Sequence, residues 1–208
     1  MAYGFLDIAR TPSVKAAEAA NGSAALWDNF SGERARDRFT DAESAFIGER
    51  DSLYMATVSE TGWPYVQHRG GPPGFLRVLD DRTLAFADFR GNRQYISLGN
   101  LAANDRVALI LMDYPHRARL KIYAHIEAKD LANDPELAAK LAMPGYKGRL
   151  ERALLLHLDA FDWNCPQHIT PRFTEAELTD ILAPVRQRLE ALESENTVLR
   201  EQLAAKGE

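Results

Sequence analysis

Alternating apolar and polar positions mark out the middle of the chain as strand. Ser52 to Ser59 reads as one, Glu60-Thr61-Gly62-Trp63-Pro64 as a turn, and Pro64 to Arg69 as the return strand. Two strands so close in sequence pair antiparallel, because a parallel pair needs a long crossover. Gly70-Gly71-Pro72-Pro73-Gly74 breaks the pattern before Phe75 to Leu79, and Asp80-Asp81-Arg82 turns tightly into Thr83 to Asp88. Beyond Gly91 the apolar spacing widens to Ile96, Leu98 and Leu101, which predicts a turn and then a helix. Arg106 to Met112 is an almost unbroken apolar run and is expected to be a central strand. Tyr114-Pro115-His116 turns the chain into an alternating strand, Ala118 to Glu127. A short helix is predicted from Asp134-Pro135 to near Pro144-Gly145, and a last strand over Arg152 to Trp163. Some seven strands joined mostly by short turns and interrupted by one helix predict a mainly β fold with flanking helices, α+β in class. The sheet is expected to be an antiparallel barrel, closed or nearly so.

The flanks are helical. Thr11-Pro12 starts a helix that Asn21-Gly22 would end, and Thr40-Asp41-Ala42-Glu43 is a capping box ahead of Phe46 and Ile47. Thr174-Glu175-Ala176-Glu177 is another. From there a heptad can be written with Leu182, Leu189, Asn196 and Leu203 at a, and Val185, Leu192 and Leu199 at d. In that register Arg188 at g faces Glu193 at e of a parallel partner, and Glu195 faces Arg200. The readings are a two-stranded coiled coil or a surface helix packed on the barrel. The expected organisation is an N-terminal helical extension over 1–44, a barrel over 45–173 and a helical or coiled-coil tail over 174–208.

The net charge of −5 argues against a general attraction to nucleic acid or to an anionic membrane. Any anion must be held locally. One cysteine, Cys165, excludes an intrachain disulfide framework and fits a reducing, cytoplasmic setting. No apolar run approaches membrane length, and the N-terminus does not read as a signal peptide. Gly-x-Ser-x-Gly, Walker A and a strand followed by Gly-x-Gly-x-x-Gly do not occur, and His68, His116, His125, His157 and His168 show no metal-ligand spacing. Cys165 beside His168 is sequence adjacency only, and a small buried or neutral thiol is the expected role.

The chemistry concentrates in Asp88 to Leu101. A strand leading through a glycine turn into a helix leaves free backbone N–H groups at the helix start, beside Arg90 and Arg93. Such a place suits a phosphate: the helix dipole and unpaired donors attract an anion, and guanidinium adds a bidentate grip. The plainer alternative is that both arginines are solvated turn residues. Arg117, Arg119 and Lys121 sit two apart, on one face of a strand, where they are either solvated or frame an anion. Gln67, His68 and Arg69 precede the glycine-rich turn, where a planar ligand can approach backbone closely.

Three blocks, Trp63 to Phe75, Phe86 to Gln94 and Arg117 to Lys121, in this order resemble the pyridoxamine 5′-phosphate oxidase-related FMN-binding family. The resemblance covers roughly residues 45–130, with a weaker match from Trp163 to Arg172. It implies a six- to seven-stranded split β-barrel, a homodimer with FMN at the subunit interface, and oxidoreductase activity on an unknown small substrate. By the same resemblance Gln67, His68 and Arg69 contact the isoalloxazine, Asn92 and Arg93 hold the phosphate, Phe86, Ala87 and Asp88 lead into the site, and Arg117 and Arg119 complete it. Trp163 and Arg172 correspond to a Trp and Arg that complete the oxidase site. His68 is the one side chain suited by type and position to acid–base work. The oxidase carries Arg-x-Val-Leu-Leu-Lys in the first block and Ser-Arg-Lys at the phosphate turn, whereas this chain has Gln67-His68-Arg69 followed by glycines, and Gly91-Asn92-Arg93. FMN binding is therefore expected, and oxidation of pyridoxamine phosphate is not. Deazaflavin or haem in the same barrel, and a non-enzymatic dimer with a coiled-coil module, are the alternatives.

Overall fold

A computed structural model describes residues 4–28, 36–163 and 166–206. Cys165 lies outside the described residues. Seven strands, β1 (Ser52–Val58), β2 (Pro64–Gly70), β3 (Leu76–Asp80), β4 (Thr83–Phe89), β5 (Arg106–Asp113), β6 (Ala118–Lys129) and β7 (Leu150–Trp163), form one sheet in the order β2-β1-β5-β6-β7-β4-β3, antiparallel throughout. β5 lies between β1 and β6, as its apolar run predicts.

The two edge strands, β2 and β3, are consecutive in sequence. Seven strands laid flat would set them about 29 Å apart, while the link from Gly70 to Leu76 reaches about 21 Å at most. The sheet must therefore curl back on itself, which makes it a split barrel. Arg69 of β2 closes the split by pairing with Asp88 of β4 at 3.0 Å, and Phe75 packs edge-on to Phe86.

Alternation places Leu53, Met55, Leu109, Leu111, Leu120, Ile122 and Leu156 inside, each almost fully buried. β4 is buried on both faces. Leu84 and Phe86 join the main core, while Ala85 and Ala87 pack with Leu137 and Leu141 of a short helix, Pro135–Leu141. The helix α4 (Asp41–Gly48), which follows α1 (Phe5–Ala9), α2 (Pro12–Ala20) and α3 (Ala24–Asp28), starts at the Thr40 capping box. Glu43 accepts from Thr40 N at 3.0 Å and, through its other oxygen, from Trp163 Nε1 at 2.7 Å, which ties α4 to the end of β7. At the N-terminus, Phe5 stacks on Tyr123 at 4.5 Å.

The chain divides into two compact units, Met1–Asp113 with Arg117–His168, and Tyr114–His116 with Ile169–Glu208. The second consists mainly of a 32-residue helix, Glu175–Lys206, opened by the Thr174 capping box. No residue of this helix is buried. None of the described helices is long and apolar enough to cross a membrane.

Candidate functional site

The turn from β4 into the next helix, α5 (Ile96–Ala103), is held from several directions. Arg90 N donates to Arg149 O at 2.8 Å, fastening the loop to the approach to β7, and Asn92 Oδ1 accepts from Gln94 N at 3.1 Å. Arg93 and Tyr95 adopt left-handed backbone, φ 65° and 51°. For side-chain-bearing residues that conformation costs about 1–2 kcal/mol each, and such strain gathers at functional turns. Tyr95 is the N-cap of α5 but supplies no side-chain cap, so the first amides of the helix keep their donors. Further along α5, Asn100 Nδ2 donates to Thr57 Oγ1 at 2.9 Å, a buried bond that fixes the helix against β1.

Facing this helix start is a pocket of about 210 Å³. Its floor is one face of β2: Tyr65, Gln67 and Arg69, alternate residues along the strand. Gln67 Oε1 accepts from Ser97 Oγ at 3.2 Å and from Tyr65 OH at 3.3 Å, linking the strand to the first turn of α5. Asp88, Asn92, Arg93 and Glu151 line the remainder.

The charges are arranged in two nests. Asp88, buried, meets Arg69 at 3.0 Å and Arg152 at 3.6 Å. Burial pushes its carboxyl up, and the two guanidiniums pull it part of the way back. Glu151 accepts from Tyr95 OH at 3.1 Å, pairs with Arg152 at 3.1 Å and lies 3.8 Å from Arg90, while Arg152 also stacks over the Tyr95 ring. Arg69 Nε and Arg152 Nη1 are buried donors without hydrogen-bond partners. Arg69 and Arg93 line the pocket with Asp88 and Glu151, while Arg90 and Arg152 pair with those carboxylates without lining it.

Of the residues singled out in the sequence, Gln67, Arg69, Asp88, Asn92 and Arg93 come together here. The others do not. His68 sits on the opposite face of β2, edge-on to Tyr54, because strand parity separates it from its two neighbours. Phe86 and Ala87 are core residues. Arg117 is in the β5–β6 turn at φ 53°, so it does not share a strand face with Arg119 and Lys121, and Lys121 is neutralised by Asp162 at 2.8 Å. Neither Arg117, in that turn, nor Arg119, at the start of β6, lines the pocket. Trp163 is occupied as the anchor of α4, and Arg172, in the second unit, stacks over Tyr114. Sequence reading passed over Tyr65, Tyr95, Ser97, Glu151 and Arg152. Tyr65 was detectable, two positions before Gln67 on a predicted strand; Glu151 and Arg152 arrive from a strand some fifty residues downstream with no local signal.

A sequence model described as pyridoxamine 5′-phosphate oxidase matches residues 39–155, more than half of the chain and inclusive of the whole pocket. No curated protein matches the sequence. Among solved structures, HupZ of Group A Streptococcus is 18% identical over 65% of this chain and 99% of its own, with a TM-score of 0.49. A protein related to general stress protein 26, of the pyridoxinephosphate oxidase family, from Clostridium acetobutylicum is 15% identical over 65% and 94%, TM-score 0.44. An FMN-binding protein from Syntrophomonas wolfei subsp. wolfei is 16% identical over 74% and 95%, TM-score 0.43.

Proposed function

Since the chain belongs to the pyridoxamine 5′-phosphate oxidase family, we propose that its pocket binds the phosphate end of FMN and that the protein is a flavin-dependent oxidoreductase acting on a small substrate. The carrying observation is the pocket itself: a strained loop that turns the uncapped first amides of α5 and Arg93 toward one small space. Arg69 Nε, a buried donor without a hydrogen-bond partner on a residue that lines the pocket, fits an acceptor-rich ligand, and Gln67 and Arg69 extend the polar wall along β2 toward the flavin ring.

When bound, the flavin supplies two-electron hydride chemistry. The residues of this chain bind and orient it. Arg93 and the α5 amides grip the phosphate, Asn92 shapes the turn, and Asp88 keeps Arg69 and Arg152 in place. At about 210 Å³ the pocket is smaller than the usual 300 Å³ or more of a site that encloses a drug-sized ligand, so it takes one end of the cofactor only.

A second copy of the chain completes the site in this reading. The outer faces of β1, β2 and β5 expose Tyr54, Val58, Val66 and Ile110, and Tyr54 and Ile110 are direct cross-strand partners. An apolar patch continuous across three strands suits a subunit contact. Arg117 and Arg119, which do not line the pocket of their own chain, are in this reading available to the site of the partner subunit.

Titration separates the parts of this proposal. FMN should bind more tightly than riboflavin, which lacks the phosphate, and inorganic phosphate should compete with FMN. Equal affinities for the two flavins would remove the phosphate assignment, and no flavin binding at all would remove the cofactor.

A further inference from the structure

The helix Glu175–Lys206, here α7, offers a surface that the flavin reading does not use. Leu182, Val185, Leu189, Leu192, Leu199 and Leu203 are all exposed, and the stripe they form runs about 33 Å along the helix. A long helix in water is ordinarily stabilised by burial of its apolar face, and nothing on α7 is buried. Pro184 removes one of its backbone hydrogen bonds and adds a further cost. In the heptad Pro184 falls at c, away from the seam, so it leaves the stripe uninterrupted.

We propose that α7 pairs with the α7 of a second copy as a parallel, in-register, two-stranded coiled coil. Charge decides the orientation. In the parallel arrangement Arg188 faces Glu193 of the partner subunit and Glu195 faces Arg200 of the partner subunit, opposite signs in both cases. In the fully overlapped antiparallel arrangement, Arg186 meets Arg200 of the partner subunit, and Glu193 and Glu195 each meet their own counterparts. Every one of those contacts is between like charges. Asn196 adds an independent argument. In the parallel pair it lies opposite Asn196 of the partner subunit and the two amides can bond to one another, whereas antiparallel pairing sets it against Leu192 of the partner subunit. One asparagine at an a position also penalises shifted registers and assemblies of three or more helices.

Cysteine cross-linking of the full chain tests orientation and register together. In a Cys165→Ser background, Leu199→Cys places one thiol at a d position, where the two chains of a parallel pair approach each other across the seam. Mild oxidation should convert most of that protein to a covalent dimer on a non-reducing gel. A mixture of Leu189→Cys and Leu199→Cys chains should link within each kind rather than between them. Links formed only between the two kinds would establish the antiparallel arrangement and overturn the proposal. Absence of links in both experiments would overturn it too, because no pairing of α7 in this register would then exist.

Discussion

Arg93→Ala is the most informative single change at the pocket. Arg93 lines the cavity yet is exposed and forms none of the charge pairs that hold the walls, so its loss leaves Asp88 and Glu151 with their partners. Arg69→Ala would be harder to interpret, since it strands the buried Asp88 carboxylate and confounds binding with stability. A charged hydrogen bond contributes about 1.5–3 kcal/mol, and solvent screening at an exposed guanidinium places Arg93 toward the low end. At about 1.5–2 kcal/mol the affinity for FMN should fall roughly 10- to 30-fold. Calorimetric or fluorescence titration measures it, with riboflavin as the control that has no phosphate to lose. Arg93→Gly is the companion variant. It relieves the left-handed strain by about 1–2 kcal/mol and adds about 0.5–1 kcal/mol of unfolded-state entropy, so the fold should stay at least as stable. If charge is the cause, both variants lose FMN affinity equally and keep riboflavin affinity. Undiminished FMN binding, or a matching loss of riboflavin binding, would refute the reasoning.

Asn100→Ala removes the buried bond that fixes α5 to β1 and leaves the Thr57 hydroxyl unpaired, so chemical denaturation should show a loss of about 1–3 kcal/mol together with weaker FMN binding. Gly71→Ala would bring a Cβ to 2.7 Å from Phe75 Cβ, an atom fixed to backbone; the link across the split must shift, and a loss of about 1–3 kcal/mol is expected in the same assay. Glu43 gives a pH dependence. Desolvation pushes its carboxyl up, but hydrogen bonds from Thr40 and Trp163 outweigh this and hold it below the ordinary value of 4.5. Its contribution is therefore present above that value and lost as pH falls through the lowered one; Glu43→Gln should flatten the acid limb of stability against pH.

The strands were legible because each shows period two or an unbroken apolar run between turn residues, and their antiparallel pairing followed from short connections. The turn from β4 into α5 was legible too, since Gly91, Arg93 and the change to helical spacing at Ile96 lie within a few residues of one another. Long-range placement was not. Reading Gln67, His68 and Arg69 as one block ignored the alternation that turns His68 outward. The run Phe86-Ala87 carries no mark distinguishing a site wall from a strand covered on both faces, and only the helix Pro135–Leu141 reveals which it is. Arg117 was assigned to a strand that begins one residue later, since Tyr114-Pro115-His116 marks a turn without fixing where it ends. Glu151 enters the pocket, and Arg152 reaches Asp88, only through the β4–β7 pairing, which no local pattern encodes.

The visible absorption spectrum of the purified protein, followed by denaturation and mass measurement of anything released, bears on the central claim most directly. Flavin bands and the mass of FMN are the predicted result. A colourless protein that takes up no added FMN, or a released chromophore of another mass, would contradict it.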